Sequence, residues 1–394
     1  MEMTFRKEVL CDRYTTFNKY REISPFYDDE LASHIILRFE DVITTLRSTS
    51  VSSNRKKQQF DRIKHCPFSQ PLVEFYSQWL MYMDGEEHSK LRKLITIALS
   101  KATKNIENVV DQSFFVHFEK LLSCKHQVQD IVSVFSAPFV TSVLAAVFGI
   151  SEIRYSQIIS ISKPIVMFLG SGDVGDVYSR KQVIDSLNLT HDVLLSCIHE
   201  CNSCNSVIGY LLQKNVSVAD ISPLLINIVI DGYDPFLSAV NAYLLNKSKN
   251  AISDPNNHMS SNQIFDEITR LETPFQYCAR IATEDLKLGS YSIRQGERIM
   301  AFIASANRDP NCFYMPEQVM FRDQKIKSFS FGAGRHICPG GNLARKSTAR
   351  LIDLFSKFEE KVRLVHVEDK WMDSFGFRFL EKLRVEVVIM ENIT

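Results

Sequence analysis

The chain reads as mainly α-helical with small β-sheets, on three observations. Residues 105–215 alternate apolar and polar positions at helical spacing. Leu343 to Phe358 repeats that spacing as one amphipathic helix. Between Cys278 and Ala301 the alternation shortens to every second residue, broken by Gly289 and Gly296, which marks a small antiparallel sheet.

Composition narrows the function classes. The 394 residues are 45% hydrophobic and 23% charged, enough to bury a large core. Basic and acidic residues balance at 46 each, so there is no electrostatic footprint for nucleic acid or an anionic membrane. No run of 18 apolar residues appears, and Met1-Glu-Met-Thr-Phe-Arg-Lys-Glu lacks an apolar segment of signal type. A soluble, cytoplasmic chain is expected. Nine irregularly spaced cysteines fit thiols in a reducing compartment better than a disulfide framework. Cys197, Cys201 and Cys204, near His191 and His199, fall at helical offsets on one face. No second knuckle follows, so helix-packed thiols are expected there rather than zinc or an iron–sulfur cluster.

The chemistry gathers at Phe329-Ser-Phe331-Gly332-Ala-Gly334-Arg335-His336-Ile-Cys338-Pro339-Gly340-Gly341. Aromatic and glycine residues crowd in front of one cysteine, and a helical run begins behind it. Thiolate is one of the few axial ligands proteins use for haem iron. Gly332, Gly334 and Gly340 are expected to take backbone conformations closed to other residues, wrapping the chain tightly around a flat cofactor. The amides and dipole at the start of the following helix would stabilise a buried thiolate.

The pattern Phe331-Gly-x-Gly-x-His-x-Cys338-x-Gly340 resembles the haem-binding signature of the cytochrome P-450 superfamily in its soluble bacterial form. The resemblance runs through the chain in the family's motif order. Leu37-Arg-Phe39-Glu-Asp41-Val-Ile-Thr-Thr-Leu46-Arg47 resembles the strand-to-helix segment near the start of these proteins. Asp84 opens a helix with acidic residues in its first turn, and His88 and Arg92, four apart, project from one face. That pair resembles the family's His-x-x-x-Arg, which binds haem propionates. The family places a mobile lid near the loop at 170–175, where Phe168 either meets substrate or packs in the core.

At Leu224-Leu-Ile-Asn-Ile-Val-Ile230-Asp231-Gly232-Tyr233-Asp234-Pro235-Phe236 the chain is similar to the long helix that crosses the distal face of the haem. The family's order is a small residue, Gly, any residue, an acid, then Thr. Gly232 and Asp234 match, Asp231 stands in the small position, and Pro235 replaces the Thr. Proline removes an amide donor and pushes on the carbonyl of Asp231, so a kink is expected, but no hydroxyl for proton delivery. Asp234 is the expected proton carrier, with Tyr233 or Ser238 as substitutes for the alcohol.

Glu267 and Arg270 sit three apart on a helix ended by Pro274, after a polar loop at 253–258. They resemble the family's buried Glu-x-x-Arg pair, and Arg308, in Asn307-Arg308-Asp309-Pro310, is expected to join them. Arg280 occupies the position of a propionate-binding arginine, and residues 274–279, including Phe275, approach the substrate in the family. Phe375, in the tail motif Lys370-Trp371-Met372-Asp373-Ser374-Phe375, resembles the tip of the last hairpin.

The resemblance therefore implies one P-450 domain over residues 1–394, with haem b between the central helix and the cysteine loop. Cys338 would ligate iron, and His88, Arg92, Arg280 and His336 would hold propionates, with Phe331, Gly332, Arg335 and Gly340 framing the cofactor. The length leaves no room for a fused reductase, so electrons would come from a ferredoxin or flavodoxin and its reductase, docking near Lys90, Lys93 and Arg345. The expected activity is monooxygenation of a hydrophobic small molecule in secondary metabolism by a monomeric enzyme. Pro235 keeps two further readings open: a peroxygenase or haem-thiolate isomerase or dehydratase, and a P-450-like binding module without turnover. Phe168, Phe236, Phe275 and Phe375 are the expected substrate contacts.

Overall fold

A computed structural model describes residues 3–55, 57–123, 126–170, 177–253, 259–322 and 328–390. The loop expected at 170–175 lies outside the described residues from 171 onward, as does the polar loop from 254 to 258. The chain is mainly helical with small sheets, and its contacts divide it into two compact units. The first comprises Met1–Ser52, Phe114–Ala137 and Leu237–Thr394; the second comprises Ser53–Ser113 and Pro138–Phe236.

In the first unit, the strands Cys278–Ala282 and Arg298–Ala301 pair antiparallel, as their alternation predicts. The sheet they enter is nevertheless mixed. Ser33–Ile36 runs parallel to Arg298–Ala301, and Phe26–Asp28 and Val51–Ser52 complete five strands. All four residues of Ser33–Ile36 are buried, the usual condition for a strand that takes a parallel partner. The helix Phe39–Arg47 follows and buries Phe39, Val42 and Leu46 against Ile299, Phe313 and Phe329.

The helix Ser261–Leu271 starts on a reciprocal capping box between Ser260 and Gln263. It packs against the helix Gly341–Lys357, which buries Leu343, Leu351 and Phe355. A three-stranded antiparallel sheet joins Val362–Trp371, Leu380–Ile389 and Val128–Asp130.

The second unit is built on the helices Gly85–Ala102, Glu152–Ile161, Lys163–Gly170, Val177–Glu200 and Val207–Gln213. Val177–Glu200 ends before Cys201, so Cys197 lies buried on the helix while Cys201 and Cys204 follow in the turn beyond it. The expected single helical face of three thiols is therefore not formed. Cys201 instead makes a 3.5 Å contact with Ser206 Oγ, and burial raises the Cys197 thiol.

The helix Val218–Ser248 is unbroken, with Pro223 and Pro235 inside it. It is long and apolar enough to cross a membrane, yet 56% of its most apolar stretch is buried within the protein, as in a core helix.

Candidate active site

Hydrogen bonds from the first unit's own core shape the cysteine loop. Asn307 Oδ1 accepts the Phe329 amide at 2.6 Å, and Asn307 Nδ2 donates to Thr273 Oγ1 and Ser330 Oγ. Ser330 Oγ in turn donates to the Thr269 carbonyl at 2.8 Å. The loop start is thereby stitched to the helix Ser261–Leu271.

Two left-handed residues then turn the chain back, Gly332 at φ +70° and Gly334 at φ +71°. At Gly334 a Cβ would stand 2.3 Å from the Leu46 carbonyl oxygen, so the helix Phe39–Arg47 leaves no space for a side chain there. The turn closes with the Cys338 amide donating to the Phe331 carbonyl at 2.8 Å. Arg335 Nη2 reaches the Val51 carbonyl at 3.2 Å, His336 is half-buried, and Phe331 stacks on Phe265 with centroids 5.9 Å apart.

Gly340 departs from expectation. Its φ of −83° suits any residue, and a Cβ would make ordinary 3.7 Å contact with Cys338 Sγ. Steric demand falls instead on Gly341, where a Cβ would press the Phe331 ring at 3.2 Å. Cys338 is exposed rather than buried, because the turn presents it outward just ahead of the helix Gly341–Lys357. No disulfide takes up a described cysteine. A thiol presented ahead of a helix N-terminus and framed by left-handed glycines fits a metal-bound macrocycle through the chemistry of its donor.

Beside the loop, Glu267 and Arg270 form a buried bidentate pair, Nε to Oε1 at 2.8 Å and Nη2 to Oε2 at 2.9 Å. Burial lowers the Arg270 pKa, with Glu267 opposing the shift. Arg308, expected in this pair, goes elsewhere. It bonds Glu317 and the Leu271 carbonyl, lies 3.8 Å from Glu272, and sits 3.6 Å from the Tyr14 ring centroid. Arg322 takes the place assigned to it, with Nε 2.8 Å from Glu267 Oε2. The sequence carried a faint signal for this, an arginine two residues beyond the short strand Val319–Met320.

Arg280 is buried on its strand and donates to the Ala279 carbonyl at 2.8 Å. Phe375 packs among Phe5, Tyr277 and Phe302, and Phe275 bridges to Phe377. Arg345 is engaged with Asp266 at 2.8 Å, and Lys90 pairs with Glu86 on the surface.

In the second unit, Asp84 caps the helix Gly85–Ala102 at the backbone level, and its side chain accepts the Ser53 amide at 3.2 Å. His88 is buried and Arg92 half-buried on that helix. Phe168 stacks on Tyr76, and Phe236 lies edge-on to Phe139. Gly232, Tyr233, Asp234 and Pro235 are each half-buried on the long helix. Burial raises the Asp234 pKa, with Lys163 acting against it.

Burial raises the Tyr233 pKa, with Thr141 acting against it, while Ser238 donates to the Arg378 carbonyl at 3.4 Å and so has another partner. Sequence reasoning passed over one acid. Asp231, noted only as occupying the small-residue position, accepts the Trp79 indole N–H at 2.7 Å, and burial pushes its carboxyl up to about 7. The legible signal was an acid among apolar neighbours, three residues before Asp234.

A mainly helical fold with a thiol presented in this way suits a haem-thiolate centre through the chemistry of its donor. A family model described as Cytochrome P450 matches residues 240–383. The biotin biosynthesis cytochrome P450 of Bacillus subtilis is 21% identical over 97% of this chain and 98% of that protein. The polyketide biosynthesis cytochrome P450 PksS of the same organism is 24% identical over 97% of each. The solved structure of P450BioI with a hexadec-9Z-enoic acid-ligated acyl carrier protein superposes with a TM-score of 0.79 at 20% identity, covering 97% of this chain and 100% of that one. The chain is similar to these cytochromes P450 in sequence over nearly its whole length, and in fold.

Proposed function

We propose that this chain is a haem b monooxygenase that oxidises a hydrophobic small molecule in a biosynthetic pathway, with electrons from a separate ferredoxin or flavodoxin and its reductase. The observation that carries this reading is the loop geometry. Two left-handed glycines and the Asn307 and Ser330 bonds present Cys338 at the start of a helix, in a chain whose relatives are named for biosynthetic P450s.

In this reading the bound haem supplies oxygen activation, which a thiolate ligand favours by electron donation. Cys338 Sγ is the ligand, and His88, Arg92, Arg280 and His336 hold the propionates. Gly332 and Arg335 shape the loop behind them. Glu267, Arg270 and Arg322 keep that loop's support rigid. Asp234 holds a proton on its carboxyl more readily than an ordinary aspartate, which suits a group that passes protons on. Pro235 contributes no hydroxyl, and this favours a second reading in which peroxide is the oxidant.

Absorbance of the purified protein, reduced with dithionite and exposed to carbon monoxide, tests the assignment. A strongly red-shifted Soret band is expected for a thiolate opposite the gas. Protein without haem, or with a band typical of histidine or thiol ligation, would overturn it.

A further inference from the structure

The surroundings of Asp231 point to a substrate class. Trp79 is fully buried, and its indole is the one group among the described residues that donates a hydrogen bond to this carboxylate, through Oδ2. Tyr76 stacks flat on Trp79, with centroids 5.3 Å apart and planes 7° apart, and Phe168 also stacks on Tyr76, at 5.7 Å. Tyr82 stands edge-on to both Tyr76 and Trp79. The Tyr76 hydroxyl is buried without a hydrogen-bond partner and lies within electrostatic reach of Asp231. This is a half-buried acid in a nest of aromatic rings, with one orphaned hydroxyl within its electrostatic reach.

Two features give the nest a sign. Aromatic faces attract cations, and they do so more strongly where water is excluded. The nest already holds one: the Arg55 guanidinium rests 4.7 Å from the Tyr82 ring centroid and bonds the Tyr82 hydroxyl at 3.4 Å. Arg55 favours the ionised form of Asp231, while Asp234 opposes it. A carboxylate held largely by a single indole recovers its ionised form best when a further cation arrives.

We infer that Asp231 recognises substrate charge, and that the chain takes a hydrophobic molecule carrying a cationic nitrogen. The carboxylate would attract the charge, with Tyr76, Trp79 and Tyr82 as the buried aromatic wall behind it. This rests on the monooxygenase reading above and narrows its substrate.

Calorimetric titration of the holoenzyme tests it with two probes of one shape, a phenylalkyl trimethylammonium ion and its neutral tert-butyl isostere. A quaternary nitrogen has no lone pair, so neither probe can ligate iron. The cation is expected to bind at least about tenfold tighter, and Asp231→Asn to remove that preference while leaving the neutral probe unchanged. Trp79→Phe, which keeps the ring and deletes the indole N–H, should weaken cation binding by a smaller factor.

Equal binding of the two probes by the unmutated enzyme would overturn the inference, whatever the variants do. So would an Asp231→Asn variant that weakens both probes alike. The carbon monoxide spectrum of the same samples separates the two readings. A red-shifted band without charge preference sinks only the substrate class, whereas a missing band sinks the monooxygenase itself.

Discussion

Arg322 places its Nε 2.8 Å from Glu267 Oε2, the same oxygen that accepts Arg270 Nη2, so two arginines share one buried carboxylate. Removing one partner of a buried pair strands the other charge, at about 3–5 kcal/mol. Glu267→Ala strands two and is expected to unfold the protein or abolish haem retention. Arg322→Ala leaves Glu267 bonded to Arg270 and should cost less, about 1.5–3 kcal/mol, as for a hydrogen bond to a charged group. Urea unfolding with haem occupancy as a second signal checks the order.

Gly334→Ala combines a left-handed backbone with a Cβ 2.3 Å from the Leu46 carbonyl. The left-handed backbone alone costs about 1–2 kcal/mol, and the backbone clash adds to it. Gly296, at φ +85° with open space around it, isolates the first term. Thermal melts should show Gly334→Ala losing clearly more stability than Gly296→Ala, and losing the thiolate-type spectrum as well.

Asp231 makes stability depend on pH in an unusual direction. Burial raises its folded pKa from the ordinary aspartate value of 3.8 to about 7, so between those values the folded chain holds more proton than the unfolded one. Stability from this group is therefore full at low pH and is lost as pH rises through about 7. Asp231→Asn keeps an acceptor for Trp79 and removes the titration. After discounting for partial exposure, it is expected to gain about 1–2 kcal/mol at pH 8, shrinking toward pH 5. Denaturation curves at the two pH values measure the difference.

Pro235→Thr restores both an amide donor toward the Asp231 carbonyl and a hydroxyl at the following turn. With haem content matched, it should lower peroxide release per NAD(P)H consumed and raise product yield in a reconstituted assay. Unchanged partitioning would show that Pro235 has no part in proton delivery.

Much of the local geometry was legible because the groups concerned lie close together in the chain. The Phe331 to Gly341 spacing, the i,i+3 pair Glu267 and Arg270 and the i,i+4 pair His88 and Arg92 are each set by a single turn or helix. The misplacements have the opposite character. Arg308 and Arg322 lie 41 and 55 residues beyond Glu267, and which of them reaches the carboxylate depends on how the segment around Val319–Met320 lies against the helix Ser261–Leu271. The contact between Cys201 and Ser206 replaced a helical face because the helix ends one residue earlier, at Glu200.

By itself the sequence determined the helical character, the resemblance to cytochromes P450, the cysteine loop and the anomaly at Pro235, since periodicity and short motifs need only local geometry. The tertiary structure decided that Asp231 meets Trp79, 152 residues earlier in the chain, and that Gly334 faces Leu46. A hydrogen bond between distant residues is set by the packing of whole elements, and no local propensity encodes it.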